Sequence, residues 1–369
     1  MRGWNRLFDE RGSLRAVALW RILVGPIVLI HLLPFLRAAL DGRYYADNFY
    51  LPWISGMPEA PRLLYFALLG ACALSSVTLS LGLFTRLSAL YTWAFVTYNL
   101  FLSQTHFHHN RAFLVINLTC LVLLPSGNLL SLDARRARSR GTPLEERASL
   151  WPMYLLRFEA VSVYAASGGS KLLNEDWWSG LVTFDRVVRF RHRLDASIAP
   201  QWFIDLITVP DFHHVFAKVA VITELFIALG LLYRPTRYAA VWVAVIFHVA
   251  IGIGLNVQIF SYLAIAALFL WAWPSTRDRV LTVNPARPAG RFVAAWARRL
   301  DWLARFDLRR DEAAPHAVSL VQRDGRQLHG AEAARAALAR CPLLFLPLGP
   351  FLLPGLRGVW DASLRRTFG

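Results

Sequence analysis

Leu19-Trp20-Arg21-Ile22-Leu23-Val24-Gly25-Pro26-Ile27-Val28-Leu29-Ile30-His31-Leu32-Leu33-Pro34-Phe35-Leu36 is apolar except for Arg21 and His31. About twenty such residues cross the hydrocarbon core of a bilayer, and charged residues are scarce within spans. The stretch therefore predicts a transmembrane helix. Its length, its two ionisable residues and the lack of a small-residue cleavage site argue against a cleaved signal peptide. Working outward, the same reading recurs at 61–84, 87–105, 111–126, 151–169, 214–233, 238–255 and 257–274, with the first span at 16–36. A chain that is 56% hydrophobic with mean hydropathy +0.40 is too apolar for these to be ordinary core helices. The expected fold is an all-α polytopic membrane bundle of about eight transmembrane helices over 1–275. A small α/β cytoplasmic domain is expected over 276–369.

Arginine placement orients the bundle. Arg2, Arg6, Arg11 and Arg15 precede the first span, and Arg86 lies between the second and third. Arg135, Arg136, Arg138, Arg140 and Arg147 lie between the fourth and fifth, Arg234 and Arg237 between the sixth and seventh, and Arg277 and Arg279 after the eighth. The positive-inside rule puts all of these, and both termini, in the cytoplasm of a multi-pass cell-membrane protein, in the pattern of a bacterial inner membrane. Arg186, Arg189, Arg191 and Arg193 fall on the outer side, in a long loop that votes weakly. The net charge of +16 is thus an orientation signal, and nothing in the chain resembles a nucleic-acid module. Cys72, Cys120 and Cys341 are far apart and form neither a CxxC nor a disulfide framework.

Only two of the forty basic residues are lysines, Lys171 and Lys218. Arginine stays protonated, whereas a desolvated lysine can lose its proton and act as a base. Lys171 sits in Gly168-Gly169-Ser170-Lys171-Leu172-Leu173-Asn174-Glu175-Asp176-Trp177-Trp178-Ser179-Gly180 at the end of the fifth span. One reading makes it a base; the other makes it a lysine that snorkels to the interface. Asp176 is a candidate partner that would hold the ammonium.

Under this topology several polar elements meet on the outer face. They are Gln104-Thr105-His106-Phe107-His108-His109-Asn110-Arg111, Lys171, Asp211-Phe212-His213-His214 and Asn256-Val257-Gln258, with His248 about two turns below. Ionisable groups in or bordering a bundle mark a functional site by default. The histidines could be interfacial turn residues or walls of an active site. A metal site is not expected, because there is no HExxH, no second carboxylate at helical spacing and no cysteine partner.

Ser170-Lys171-Leu172 followed by Asp176-Trp177 and Gly180 resembles the lysine motif of the vitamin K-dependent γ-carboxylase-like membrane family, also called HTTM. Leu19-Trp20-Arg21-Ile22-Leu23-Val24-Gly25, His109-Asn110-Arg111 with Ser131-Leu132-Asp133, and Phe247-His248-Val249 ahead of Phe260-Ser261-Tyr262 extend the resemblance over about 12–275. It implies quinone-linked chemistry in which a deprotonated lysine matching Lys171 takes a proton from a reduced quinone of the vitamin K or menaquinone type. Lys171, His109, Asn110 and His248 are then the candidate catalytic residues. Trp177, Asn256 and Gln258 are the candidate quinone contacts. The family has a Lys-Lys pair where this chain has Ser170-Lys171, and Asn-His where this chain has His109-Asn110. The carboxylase also has a large non-membrane region that is not visible here. A quinol-linked lyase or oxygenase is therefore expected rather than true glutamate carboxylation.

Residues 276–369 carry sixteen Arg, no Lys and eight acidic residues. Arg291–Leu303 reads as an amphipathic helix, Val318–Val321 with Asp324-Gly325 as strand and turn, and Gly330 to about Arg340 as a helix. The order is similar to the later part of a DCC-type thiol–disulfide oxidoreductase domain, a thioredoxin-like fold. The CxxC cysteines of that domain would fall at Ala286 and Ala289, so a degenerate domain without thiol chemistry is implied. The other reading is a basic tail lying on anionic lipid. Two functions stay open: a membrane enzyme using Lys171 as base, and a non-catalytic scaffold or redox-partner subunit that binds a membrane or cytoplasmic protein. Transport is weaker, for want of a broken-helix repeat pair.

Overall fold

The computed structural model describes residues 11–42, 51–196, 199–254, 258–271 and 279–368. Arg2, Arg6, Asn256, Arg277 and the last residues of the eighth expected span lie outside the described residues, as do the side chains of His106 and Arg193. The chain divides into two compact units, Met1–Leu232 with Ala244–Trp271, and Tyr233–Val243 with Ala272–Gly369.

The first unit opens with β1 (Arg11–Ser13), then α1 (Arg15–Leu40), α2 (Arg62–Leu81), α3 (Thr85–Leu102), α4 (His109–Leu123), α5 (Leu132–Ser139), β2 (Arg147–Ser149) and α6 (Trp151–Leu172). Four short helices follow: α7 (Glu175–Trp178), α8 (Leu181–Arg189), α9 (Arg191–Asp195) and α10 (Gln201–Ile207). Then come α11 (Pro210–Leu232), α12 (Arg237–Gly254) and α13 (Phe260–Leu268). The first residues of α12 belong to the second unit. Eight of these helices fall on the eight expected segments. Three of them, α1, α2 and α11, are long and apolar enough to cross a membrane by length and composition. A fourth crossing is added if Gly330–Leu338 and Pro342–Leu352, bent by 119°, count as one broken span. α4, α12 and Phe260–Trp271 are shorter apolar helices. α4 stops early because Leu124 and Pro125 leave helical geometry.

Local chemistry explains the joints. Pro26 inside α1 removes the donor that would reach the Ile22 carbonyl, and Ser80 Oγ supplies that bond at 3.0 Å. Gly25 lets α2 come close enough, since a Cβ there would lie 2.4 Å from the Ser76 carbonyl oxygen. Arg21 is fully buried. Its Nη1 donates to the carbonyls of Leu79 at 2.6 Å and Ser80 at 3.0 Å, and its Nη2 to Leu130 at 2.7 Å. It thereby closes the open carbonyl end of α2. The Asp133 carboxylate accepts from the backbone N–H of Phe84 and of Thr85, at 3.0 and 2.8 Å, and caps α3. β1 pairs antiparallel with β2, which ties the start of the described chain to the arginine-rich connection ahead of α6.

The expected long outer loop is a helical layer. α8 and α10, with Leu194, bury Val187, Leu194, Ile204 and Ile207 in a small apolar cluster of their own.

The second unit holds β3 (Val280–Val283), α14 (Pro288–Leu300), β4 (Asp307–Arg310), β5 (Val318–Val321), β6 (Gln327–His329), α15 (Gly330–Leu338), α16 (Pro342–Leu348) and α17 (Pro354–Phe368). The sheet order is β4-β3-β5-β6, with β3 parallel to β4 and the other pairs antiparallel. Alternation buries Leu281, Val283, Val318 and Leu320 against Val293, Ala334 and Leu338. Asn284 Nδ2 donates to the carbonyls of Glu312 and Ala314, its Oδ1 accepts the Ala286 N–H at 2.9 Å, and Ala289 lies in the first turn of α14. Cys341 is free and buried, and burial pushes its thiol up to about 12.

Candidate functional site

Tyr164, Ser167, Gly168 and Lys171 lie at i, i+3, i+4 and i+7 along α6, and so share one face. That face packs on α11. Gly168 allows the approach, because a Cβ there would sit 2.9 Å from Leu225 Cδ2 and 3.4 Å from Glu224 Cβ. Glu224 is therefore level with the last turn of α6, fourteen residues into a helix that begins at Pro210, or about 21 Å along its axis.

Lys171 Nζ is 2.6 Å from both carboxylate oxygens of Glu224 and donates to Ser167 Oγ at 2.8 Å. Ser167 Oγ in turn donates to Glu224 Oε1 at 3.2 Å, which closes a three-membered polar ring. The Trp177 ring covers the ammonium with its centroid 4.6 Å away. Side-chain exposure is 17% for Lys171 and 7% for Glu224. This is a buried, satisfied ion pair with one edge open. Asp176 is exposed and is not the lysine's partner; Glu224 is.

About two helical turns before Lys171 on α6, the Tyr164 hydroxyl and His248 Nε2 are 2.5 Å apart. His248 is fully buried and packs edge-on to Phe260 at 5.4 Å. Its Nδ1 and the nearby buried Ser261 Oγ have no hydrogen-bond partner among the described residues. An apolar cavity of about 10 Å³ lies beside Tyr164, bounded by Phe113, Phe260, Ala264 and Trp271. A larger apolar groove of about 410 Å³ runs between α2 and α3, lined by Leu64, Leu68, Tyr91, Phe95 and Tyr98. The hydroxyls of Tyr91 and Tyr98 already bond the carbonyls of Leu68 and Pro58, so this groove offers hydrocarbon rather than polar recognition.

The residues expected at the site thus divide. Lys171 and Trp177 come together, while His248 bonds Tyr164, seven residues from Lys171 on the same face of α6. His109 and Asn110 are not partners of Lys171. His109 is exposed, and Asn110 is buried in the first turn of α4, where its N–H donates to His108 Nδ1 at 3.2 Å. Burial lowers the His108 imidazole from its ordinary value, and Arg111, His109 and Arg186 push the same way. Gln258 is exposed with φ +51°, ahead of α13. His213 is structural: its ring nitrogens bond Thr183 Oγ1 at 3.0 Å and the Ile207 carbonyl at 2.8 Å, and so clamp α8 and α10 to α11. Glu224, Ser167 and Tyr164 were not anticipated. A carboxylate inside the sixth expected span, and polar residues at helical spacing before Lys171, were the available signals. Among the described residues no group of His, Cys, Asp and Glu could hold a metal ion.

A family model for the HTTM domain matches residues 12–275, which takes in every residue of this polar stripe. No curated protein and no solved structure matches the chain.

Proposed function

The chain belongs to the HTTM-domain family, a membrane family associated with vitamin K-dependent carboxylase, and from that premise we propose a membrane enzyme in which Lys171 and Glu224 jointly take a proton from a lipophilic quinol. The observation that carries this reading is the buried Lys171–Glu224–Ser167 ring. In a low-dielectric site an ion pair and its neutral tautomer are coupled states of one unit. Lys171 passes its proton to Glu224, and the amine so formed accepts the phenolic proton of the substrate. Ser167 bridges both groups and holds the geometry. Trp177 shields the amine from water.

A reduced quinone, when bound, supplies an acidic hydroxyl and two electrons. The donor set suits that hydroxyl. The cavity of about 10 Å³ beside Tyr164 does not take an aromatic ring, so a quinol would have to reach Lys171 from its open edge. There Leu172 and Leu173 are exposed, and the Trp177 face provides stacking. His109, Asn110 and Gln258 are given no part in this step.

The bundle belongs to a multi-pass protein crossing the membrane with α1–α4, α6 and α11–α13, its arginine-rich connections in the cytoplasm. The β1–β2 strap supports this, since it holds Arg11–Ser13 and Arg147–Ser149 on one side. The order β4-β3-β5-β6, with its first two strands parallel, supports a thioredoxin-like tail. Alanines at 286 and 289 and a buried Cys341 support one without thiol chemistry. That tail also favours a second reading, a non-catalytic subunit that presents a degenerate domain to a protein partner.

Quinol-dependent oxygen consumption with epoxide detection, on protein in nanodiscs, separates the two. The enzyme reading expects turnover in the wild type and none in Lys171→Met at equal expression. Absence of turnover with every common quinol would move the weight to the subunit reading.

A further inference from the structure

Within the second unit, arginines converge on one tyrosine. Tyr238, in the first turn of α12, accepts a hydrogen bond from Arg305 Nη1, and the charges of Arg340 and Arg279 face the same hydroxyl. Arg305 is only 7% exposed. The Nε atoms of Arg305 and Arg340 are both buried without a hydrogen-bond partner among the described residues. Burying a charged donor without an acceptor is costly, and these two donor atoms suit an anionic acceptor, although Arg340 Nη1 already bonds the Ala336 carbonyl.

The nearby carboxylates are already committed. Asp301 accepts from the backbone N–H groups of Arg305 and Phe306, at 2.8 and 3.1 Å. Asp361 is held by Arg335 through both oxygens, and Glu332 bonds Arg326. Burial lowers the Arg340 guanidinium from its ordinary value; Tyr238 opposes that shift, while Arg305, Arg335 and Arg357 add to it. Positive charge is in excess here, and guanidinium forks suit tetrahedral oxyanions.

The surroundings are apolar on one side. The Phe345 ring of α16 packs 5.7 Å from Tyr238, and the Leu346 carbonyl accepts from Trp242 Nε1 at 2.8 Å. From the same segment Leu343, Leu346, Leu353 and Leu356 project into solvent as large exposed side chains. Cationic donors beside exposed leucines match the chemistry of a phosphate joined to hydrocarbon.

We propose that Arg305 and Arg340, beside Tyr238, bind a phosphate group, and that its source is an anionic phospholipid whose chains lie along Leu343 and Leu346. The site is independent of the Lys171 chemistry.

The test uses the full chain in phosphatidylcholine nanodiscs and in nanodiscs containing phosphatidylglycerol, with a separate titration of inorganic phosphate. Thermal unfolding is followed in each, and native mass spectrometry counts the phosphatidylglycerol retained. The wild type is expected to unfold at a higher temperature with phosphatidylglycerol and to retain one molecule. Arg340→Gln, at a partly exposed position, is expected to weaken retention about tenfold, the loss of one charge-assisted bond. Arg310→Gln, an exposed control, is expected to bind normally. Stabilisation by inorganic phosphate alone, lost in Arg340→Gln, would keep the phosphate site and assign it to free phosphate. No shift with either ligand, or retention unchanged in both Arg340→Gln and Arg305→Lys, would overturn the proposal.

Discussion

Replacing Glu224 with leucine strands the Lys171 ammonium between α6 and α11. Removing one member of a buried pair costs about 3–5 kcal/mol, because the other charge is left uncompensated. Here two interactions survive the change. Ser167 Oγ still accepts a bond, and the Trp177 ring, 4.6 Å from Nζ, keeps a cation–π contact worth about 0.5–1 kcal/mol. The net loss for Glu224→Leu is therefore about 3 kcal/mol. Lys171→Met strands the carboxylate instead and costs a similar amount, since Ser167 alone then serves it. The double variant removes both charges and keeps the volume, a change that is often near neutral. With each single variant losing about 3 kcal/mol and the double variant near neutral, a double-mutant cycle should give a coupling of about 6 kcal/mol. Thermal unfolding by tryptophan fluorescence in nanodiscs reads this as drops of about 6–12 °C for each single variant, using about 2–4 °C per kcal/mol. The double variant should recover to within a few degrees of the wild type. Losses that simply add in the double variant would refute the pairing.

Arg21→Leu leaves the carbonyls of Leu79, Ser80 and Leu130 without their donor, at a cost of about 3 kcal/mol or more; a midpoint shift below a few degrees would count against the capping role. Gly180→Ala should express poorly or not at all, since its φ is +79° and a Cβ would lie 2.4 Å from the His213 carbonyl carbon; a folded, wild-type-like variant would show that α7 and α8 do not press on α11. His108 should make the turn ahead of α4 pH-sensitive. Its folded pKa is depressed, so its stabilising bond from the Asn110 N–H is present above the ordinary value near 6.5 and is lost as pH falls through the lower folded value. Hydrogen exchange at the Asn110 amide should quicken on acidification, and a flat profile would contradict that assignment.

Helix positions were legible because apolar runs of span length leave few alternatives: all eight segments contain helices, the first seven within a few residues of their expected ends, while the end of the eighth lies outside the described residues. Which of them cross a membrane was less legible. α4 is cut short by Pro125, and α13 passes into a 3₁₀ turn after Leu268. The four helices between Glu175 and Ile207 were read as loop because their buried residues are spread thinly over short elements with exposed arginines between them. Lys171 could be singled out by its rarity, but its partner stands 53 positions away on another helix. Only the close approach at Gly168 brings the two together, and sequence spacing carries no trace of that register.

The lysine motif serves two ends at once, and the structure separates them. Asn174 accepts the N–H of Trp177 and starts α7, Trp178 Nε1 donates to the Leu172 carbonyl, and Gly180 makes the left-handed turn against His213. These residues aim the chain. Lys171 and Trp177 are what is aimed, and both converge on a carboxylate supplied by α11. A lysine that merely snorkelled to an interface would need neither a buried acid nor a ring held over its charge. A proton-handling amine needs an acceptor for its own proton in a place that excludes water, and in the proposed step Glu224 takes that part. The buried acid and the ring over the charge support the proposed chemistry at Lys171 over anchorage. That chemistry also makes Glu224→Gln an informative single change for function: the amide keeps the size and one acceptor oxygen for Lys171 but cannot take its proton, so the proposed step predicts no turnover, at a stability loss no larger than that of Glu224→Leu.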